Sequence, residues 1–157
     1  MAKSLPNATI YALDISKEAI QIANENAKIN DVDINFIESD VLNLNATSLI
    51  VKNLKFDVIV SNPPYVREQE KPLMKANVVN NEPHLALFVT DDNPLQFYKA
   101  ITVLAMYNLN TKGTLFFEIN EYFGKDMIHL LKEHNFSDIE LKQDFFKKDR
   151  MIKGVKH

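Results

Sequence analysis

The chain has 157 residues, of which 46% are hydrophobic and 25% charged, and its formal net charge is −3. This length and composition predict one soluble domain with a sizeable core; no apolar run is long enough to span a membrane, and no signal peptide is recognisable. The absence of cysteine excludes disulfides and zinc–thiolate sites and is typical of a cytoplasmic protein. The four histidines lack metal-ligand spacing, so no metal site is expected, and the net acidity argues against a dedicated duplex-DNA binder.

Strands and helices alternate along the chain. Hydrophobic periodicity predicts strands at 9–14, 34–38, 56–61 and 114–119, helices at 16–30, 46–51, 94–108 and 121–135, and a terminal hairpin of strands 139–143 and 151–156. The first helix is expected to begin after an N-cap at Ser16 and to bury Ala19, Ile20, Ala23 and Ala27. Strands separated by helices indicate an α/β fold with a mostly parallel sheet and an antiparallel C-terminal strand.

Two segments stand out, one by its length and the other by its charge. Residues 67–92 are long for a connector, and connectors of this length are usually lids or binding segments. Residues 142–157 carry six basic and two acidic side chains. This basic excess is explained by a solvated hairpin surface or by contact with RNA or an acidic partner.

The sequence Asn62-Pro63-Pro64-Tyr65, called here the Asn62 loop, follows the strand at 56–61 directly. The strand is apolar and β-branched, which predicts burial on both faces. The two prolines cannot continue a strand ladder, so the chain opens into a loop at the carboxyl end of the strand. Ligands bind at this edge in open α/β sheets. The sequence therefore predicts a site here, and the alternative is a plain strand-terminating Pro-Pro turn.

The Asn62 loop is rich in hydrogen-bond acceptors and poor in donors. Pro63 and Pro64 offer stiff backbone with carbonyl groups and no N–H, and Asn62 adds a side-chain carbonyl. Together these oxygens can accept both hydrogens of a planar –NH2 group, while the ring of Tyr65 offers a flat stacking face. Acceptors that hold the hydrogens out of plane would localise the nitrogen lone pair and aim it at an electrophile.

The sequence resembles S-adenosylmethionine-dependent methyltransferases that act on amino groups, and in particular the peptide chain release factor glutamine methyltransferases, the HemK-like family. The segments that carry the resemblance are residues 56–66, 11–19 with 24–27, 38–41, 81–87 with its Glu82-Pro83 pair, and 144–154. The resemblance implies a Rossmann-like class I methyltransferase fold, S-adenosylmethionine as cofactor, and a release factor as protein substrate. It also implies that Asn62, Pro63, Pro64 and Tyr65 are the catalytic residues.

The cofactor site implied by the resemblance comprises Asp14, Ile15, Asp40, Val41 and Asn62. Asp14 ends the first strand, where the carboxylate of a nucleotide-binding fold accepts from the ribose hydroxyls. Asp40 is placed to accept from the adenine amine, with the Val41 N–H facing a ring nitrogen. Each aspartate has a structural alternative: Asp14 as the first residue of a turn or as a helix cap, and Asp40 as a turn-forming residue.

The chain departs from the family in lacking its first strand, first helix and glycine-rich cofactor turn. Residues 1–8 resemble the segment that follows that turn, so residues 1–157 are interpreted as the C-terminal part of a single catalytic domain. The absent strand would lie between those at 9–14 and 56–61, which predicts weak cofactor binding and either direct pairing of these strands or exposed edges open to self-association. Lys147 replaces the glycine that the family has in its C-terminal hairpin.

Three function classes follow. The first is methylation of the glutamine side chain in the Gly-Gly-Gln motif of release factors. The second is methylation of adenine or guanine amino groups in DNA or RNA, which the missing basic recognition segment disfavours. The third is a non-catalytic remnant of the fold, which the missing glycine turn favours.

Overall fold

The computed structural model describes residues 1–43, 51–73 and 83–157, and the chain divides into two compact units, Met1–Ile50 and Val51–His157. The first unit contains a 3-10 helix (Ala2–Ser4), strand β1 (Tyr11–Asp14), helix α1 (Lys17–Ile29) and strand β2 (Asn35–Glu38). The two strands are parallel and in register from Tyr11 opposite Asn35 to Asp14 opposite Glu38. Within the described ranges, no helix has both the length and the apolar character needed to cross a membrane.

Helix α1 confirms the predicted cap but only part of the predicted buried face. The Ser16 side chain accepts from the Ala19 N–H at 3.1 Å, which fixes the first turn. Ala27 is buried and Ile20 is half-buried, whereas Ala19 is exposed, contrary to expectation. The physical reason is length, because strands of four residues (about 13 Å) cannot cover a helix of thirteen residues (about 20 Å).

The second unit is built on a four-stranded sheet of order β3-β6-β8-β7. Its elements in chain order are β3 (Phe56–Ser61), β4 (Val66–Arg67), a 3-10 helix (Glu68–Leu73), α2 (His84–Leu87), β5 (Phe88–Val89), α3 (Gln96–Asn108), β6 (Leu109–Glu118), α4 (Gly124–Glu133), β7 (Phe136–Gln143) and β8 (Asp149–Lys156). Strands β3 and β6 are parallel, and β8 is antiparallel to both β6 and β7. The prediction of a mixed sheet with an antiparallel final strand is confirmed.

The core of this unit lies on one face of the sheet. Leu115 and Phe117 alternate along β6 and are 0% and 2% exposed. Helices α3 and α4 cover them, and the ring of Tyr98 in α3 meets that of Phe117 edge-on at 5.2 Å between centroids. Met127 of α4 is also fully buried. Burial of these apolar side chains is the main stabilising term of the unit.

The prediction that the strand at 56–61 is buried on both faces is wrong, because the opposite face of the sheet is exposed. Val58 and Val60 of β3 are 51% and 54% exposed, and Phe116, opposite Val60 in register, is 38% exposed. The strand is therefore not buried on both faces, because α3 and α4 pack against the other side. Strands β1 and β3 belong to different units, so the predicted alternatives for the edges of these two strands stay predictions.

Several predicted boundaries shift for local reasons. Helix α4 begins at Gly124 rather than at 121, since the chain first makes a turn in which the Phe123 N–H donates to the Asn120 carbonyl at 3.0 Å. Strand β6 begins at Leu109, five residues early, and pairs with β3 across a register shift. The segment 67–92 carries short elements in its described parts. The predicted helix at 46–51 lies outside the described residues except for Val51.

Candidate active site

The Asn62 loop lies where the sequence predicted it, directly after β3 at the carboxyl edge of the sheet. Asn62 is exposed, Pro63 is buried, and Pro64 and Tyr65 are half-buried. Because β3 and β6 are parallel and paired up to Ser61 opposite Phe117, the residues that follow β6 reach the same edge. The loop therefore has neighbours from a distant part of the sequence.

Tyr65 is fixed through its hydroxyl group. The Tyr65 hydroxyl donates to Oε1 of Glu118, the last residue of β6, at 2.8 Å. Burial and this carboxylate together raise the pKa of Tyr65 to about 12. The phenol is protonated at neutral pH and acts as a donor to Glu118, so it is no general base. Glu118 thereby positions the Tyr65 ring.

Asn120 binds the other polar group of Tyr65. Its Nδ2 donates to the Tyr65 carbonyl at 3.2 Å and to Oε2 of Glu70 at 3.1 Å, and its Oδ1 accepts from the Tyr122 N–H at 3.1 Å. Asn120 is 6% exposed, so these bonds satisfy an amide that has little access to water. One buried side chain thus joins the Asn62 loop to the segment after β4.

Glu70 and Arg67 extend this network. Arg67 donates through Nε to Oε2 of Glu70 at 3.1 Å and through Nη2 to Oε1 at 3.2 Å, which is a bidentate pair. Burial acts to raise the pKa of Glu70, but the hydrogen bonds from Arg67 and Asn120 outweigh it and lower that pKa. The Arg67 guanidinium also lies 5.5 and 5.4 Å from the ring centroids of Tyr122 and Phe123. Both charges are thereby compensated beside the loop.

Arg150, near the start of β8, connects the terminal hairpin to the same edge. Its Nη1 donates to the Ile119 carbonyl at 3.3 Å, and its Nε lies 3.6 Å from Oδ2 of Asp144. The guanidinium also interacts with the Tyr65 phenol and acts to lower its pKa, against the stronger effects of burial and Glu118. The hairpin, β6 and the Asn62 loop are therefore held together by polar contacts.

The predicted cofactor residues of the first unit lie in turns at the carboxyl ends of β1 and β2. Oδ1 of Asp14 accepts from the Ser16 N–H at 2.8 Å, and the Asp14 carbonyl accepts from the Ser39 N–H at 3.0 Å. Oδ1 of Asp40 accepts from the Leu42 N–H at 2.9 Å. Both aspartates thus form the turns foreseen as the structural alternative. Because Asp14 is exposed, its carboxylate is also accessible to a ligand hydroxyl.

The remaining cofactor residues are accessible to different degrees. Ile15 is 58% exposed, and Val41 is half-buried. Asn62, predicted to serve both cofactor and substrate, belongs to the second unit. Glu82 of the Glu82-Pro83 pair lies outside the described residues, while Pro83 is the N-cap of α2.

The sequence analysis missed Arg67, Glu70, Asn120 and Arg150. Two signals were available. Arg67 and Glu70 are opposite charges three residues apart, a spacing that permits a local ion pair. Asn120 comes two residues after a strand parallel to β3, and polar residues at such positions gather at the ligand-binding edge.

Comparison with known proteins places this chain in a family. A family model described as a methyltransferase domain matches residues 1–154. The chain therefore belongs to the methyltransferase domain family.

Within that family, the chain is similar to release factor glutamine methyltransferases. It is 50% identical to the release factor glutamine methyltransferase of Flavobacterium psychrophilum over 153 residues, which are 98% of this chain and 52% of the relative. The predicted resemblance is confirmed. The chain spans about half the length of the curated relatives that it matches.

Solved structures support the fold. The release-factor-specific protein-(glutamine-N5) methyltransferase of Alicyclobacillus acidocaldarius matches with a TM-score of 0.53 and 16% identity, over 96% of this chain and 80% of that one. A Thermus thermophilus 16S rRNA methyltransferase in complex with AdoMet and guanosine matches with a TM-score of 0.62 and 16% identity, over 96% of this chain and 32% of that one. The predicted Rossmann-like class I methyltransferase fold is confirmed.

Proposed function

We propose that this chain is part of the catalytic domain of an S-adenosylmethionine-dependent enzyme that methylates the glutamine side chain in the Gly-Gly-Gln motif of peptide chain release factors. The similarity to proteins of that name supports the proposal. The observation that carries it is the anchored Asn62 loop, with Tyr65 fixed through its hydroxyl by Glu118 and through its carbonyl by Asn120. We assign this function to the cytoplasm.

The loop suits the chemistry of an amide substrate. An amide nitrogen is a poor nucleophile because its lone pair is delocalised into the carbonyl group. The exposed Asn62 side chain and the proline carbonyls accept the two amide hydrogens and orient the nitrogen. Orientation of this kind contributes several kcal/mol, with about 7–11 kcal/mol as the limit for ideal alignment. The loop's fixed position therefore favours transfer.

The cofactor, when bound, supplies an electrophilic methyl group on a sulfonium centre. The residues of the first unit fit its polar parts: Asp14 would accept from the ribose hydroxyls, and Asp40 from the adenine amine, with Ile15 and Val41 beside them. Tyr65 stays protonated and its hydroxyl is already bonded to Glu118. The amide proton therefore leaves to water as the nitrogen is methylated, without a general base from this loop.

The test is a methyl-transfer assay with labelled cofactor that offers a class I release factor, tRNA and rRNA side by side. It is run on the 157-residue chain and on a chimera in which this chain replaces the matching 153 residues of the F. psychrophilum relative. We expect label on the release factor alone in the chimera. Label on RNA would favour the nucleic-acid alternative, and no label on any substrate would indicate a remnant of the fold.

We propose further that the edge of β3 permits self-association. Among the described residues, β3 pairs with β6 alone, and it exposes two apolar side chains, Val58 and Val60, beside a single charge, Asp57. Edges of this kind pair with strands of other chains. Sedimentation velocity should show association that grows with concentration and is abolished by Val60→Lys. A monomer at every concentration would contradict this.

A further inference from the structure

The tip of the β7–β8 hairpin, residues 144–149, presents two adjacent aromatic side chains to solvent. Phe145 is 103% exposed and Phe146 is 83% exposed, the highest values among the large hydrophobic side chains of the described residues. Single exposed apolar residues are ordinary on protein surfaces, but a contiguous apolar patch is typical of an interaction site. The fold itself gains nothing from these two rings.

The hairpin tip is nevertheless well ordered by hydrogen bonds. Oδ1 of Asp144 accepts from the backbone N–H groups of Phe146 at 2.8 Å and Lys148 at 3.1 Å. The Asp144 N–H donates to the Lys148 carbonyl at 2.9 Å, and the Lys147 N–H to the Asp144 carbonyl at 3.0 Å. Because the backbone is already fixed, a partner that contacts the rings loses little entropy in ordering it. The tip is a preorganised aromatic surface.

The hairpin tip also lies at the edge of the sheet that carries the Asn62 loop. Strands β6 and β7 are both antiparallel to β8, so their carboxyl ends meet at one edge. Arg150 joins the base of the tip to this edge through its contacts with Ile119 and Asp144. A macromolecule positioned over the Asn62 loop would therefore have the tip beside it.

The ion pairs near the tip favour a protein partner over a nucleic acid. Lys148 is paired with Glu121, and Arg150 with Asp144, which leaves Lys147 as the one basic side chain of residues 144–150 without an ion pair to a described residue. Nucleic-acid binding depends on cations that are available to neutralise phosphates. A single unpaired cation beside two exposed aromatic rings instead fits the apolar centre and polar rim of a protein–protein interface.

We propose that Phe145 and Phe146 form a docking surface for the protein substrate whose side-chain amide is presented to the Asn62 loop. This inference rests on the proposed function and extends it, because it assigns substrate recognition to a surface outside the loop. The partner contributes an apolar patch close to the modified glutamine. The two rings anchor it, as buried aromatic residues do at the centres of protein interfaces.

Affinity for a purified class I release factor, measured by biolayer interferometry on the full 157-residue chain, tests this directly. The double variant Phe145→Ala/Phe146→Ala is expected to bind about 30-fold more weakly, as for loss of an interface hot spot. The matched control is Tyr107→Ala, which removes a 71% exposed aromatic ring at the end of α3, beside the opposite edge of the sheet. This control should change the affinity less than about twofold. Thermal unfolding should be unchanged in both variants.

The outcomes separate the docking surface from the proposed function. The docking surface would be overturned if the double variant and the unaltered chain bound the release factor with equal affinity. It would also be overturned if the unaltered chain did not bind the release factor. The docking surface would also be overturned if the double variant bound single-stranded RNA more weakly than the unaltered chain does but bound the release factor equally well. Methyl transfer by the chimera to a short Gly-Gly-Gln peptide, which is too small to reach the tip, tests the proposed function alone. The double substitution should leave this transfer unchanged and reduce only transfer to the whole release factor.

Discussion

The turns after β1 and β2 and the loop after β3 occupy equivalent places at strand ends but are held in different ways. Asp14 and Asp40 each accept from a backbone N–H two residues further along the chain. Tyr65 is instead held by Glu118 and Asn120, which are 53 and 55 residues away. The aspartate turns are thus determined by local sequence, whereas the Asn62 loop is determined by the tertiary fold. Substitutions far from the loop should therefore alter it, and only neighbouring ones should alter the turns.

The largest effect on stability is expected for Asn120→Ala. Removal of this buried amide leaves the Tyr65 carbonyl, the Glu70 carboxylate and the Tyr122 N–H each with one partner fewer. We expect the free energy of unfolding to fall by about 2–3 kcal/mol in urea titrations. The control is Asn110→Ala, which removes one exposed bond to Asp57 and should cost about 0.5 kcal/mol. Equal losses would show that the loop does not depend on this long-range network.

The next effect is expected for Tyr65→Phe, which removes only the hydroxyl. Loss of the hydrogen bond to the Glu118 carboxylate should cost about 1.5 kcal/mol at pH 7. The folded pKa of about 12 lies above the ordinary 10 of tyrosine, so the stabilisation is complete below pH 10 and is lost as the pH rises through 12.

Urea titrations at pH 9 and pH 11 measure this dependence. The variant should lose less stability between the two pH values than the unaltered chain. The Tyr65→Phe variant should still lose some stability between pH 9 and pH 11, because burial also raises the pKa of Tyr98 and this tyrosine remains in the variant. An identical loss in both proteins would show that the pKa of Tyr65 is not raised in the folded chain and would contradict this account.

A smaller effect is expected in the first unit. Ser16→Ala removes the helix cap on the Ala19 N–H and should cost about 1 kcal/mol, measured by thermal unfolding. Ser16→Thr keeps an oxygen in that place and should restore most of the loss. If Ser16→Thr were as destabilising as Ser16→Ala, the local cap would not be what fixes this turn.

The smallest effect concerns the hairpin tip, another turn with local hydrogen bonds. Lys147 has a φ of 60°, the left-handed conformation that glycine adopts without steric cost. Lys147→Gly should therefore raise the free energy of unfolding by about 0.5 kcal/mol, since the relief of strain exceeds the added chain entropy. Lys142→Gly, at an exposed position of β7, should instead lower it by a similar amount. This account would be contradicted if both Lys147→Gly and Lys142→Gly raised the free energy of unfolding, or if neither did.

The parts of the structure that could be predicted from the sequence depend on short-range patterns. Alternating periodicity gave the order of the strands and helices, Ser16 gave the start of α1, and Pro63 with Pro64 gave the end of β3. Lys147 was noted as a departure from the family's glycine, and the turn keeps its conformation without that glycine.

The features that were missed depend on pairing between distant segments. Asn120 reaches Tyr65, and Arg150 reaches Ile119, only because β6 lies between β3 and β8. The exposure of Val58 follows from which face α3 and α4 cover, and an apolar run carries no information about that. Long-range contacts of this kind require the fold before they can be assigned.

We propose that the Asn62 loop holds the substrate amide while the aspartate turns hold the cofactor. The most direct test measures methyl transfer at saturating cofactor and cofactor affinity in the chimera for Asn62→Ala and Asp14→Ala. We predict that Asn62→Ala lowers kcat about 100-fold or more and leaves the cofactor Kd nearly unchanged, while Asp14→Ala weakens cofactor binding about tenfold. Parallel losses of kcat and cofactor affinity in Asn62→Ala would show that Asn62 is structural and would contradict the account.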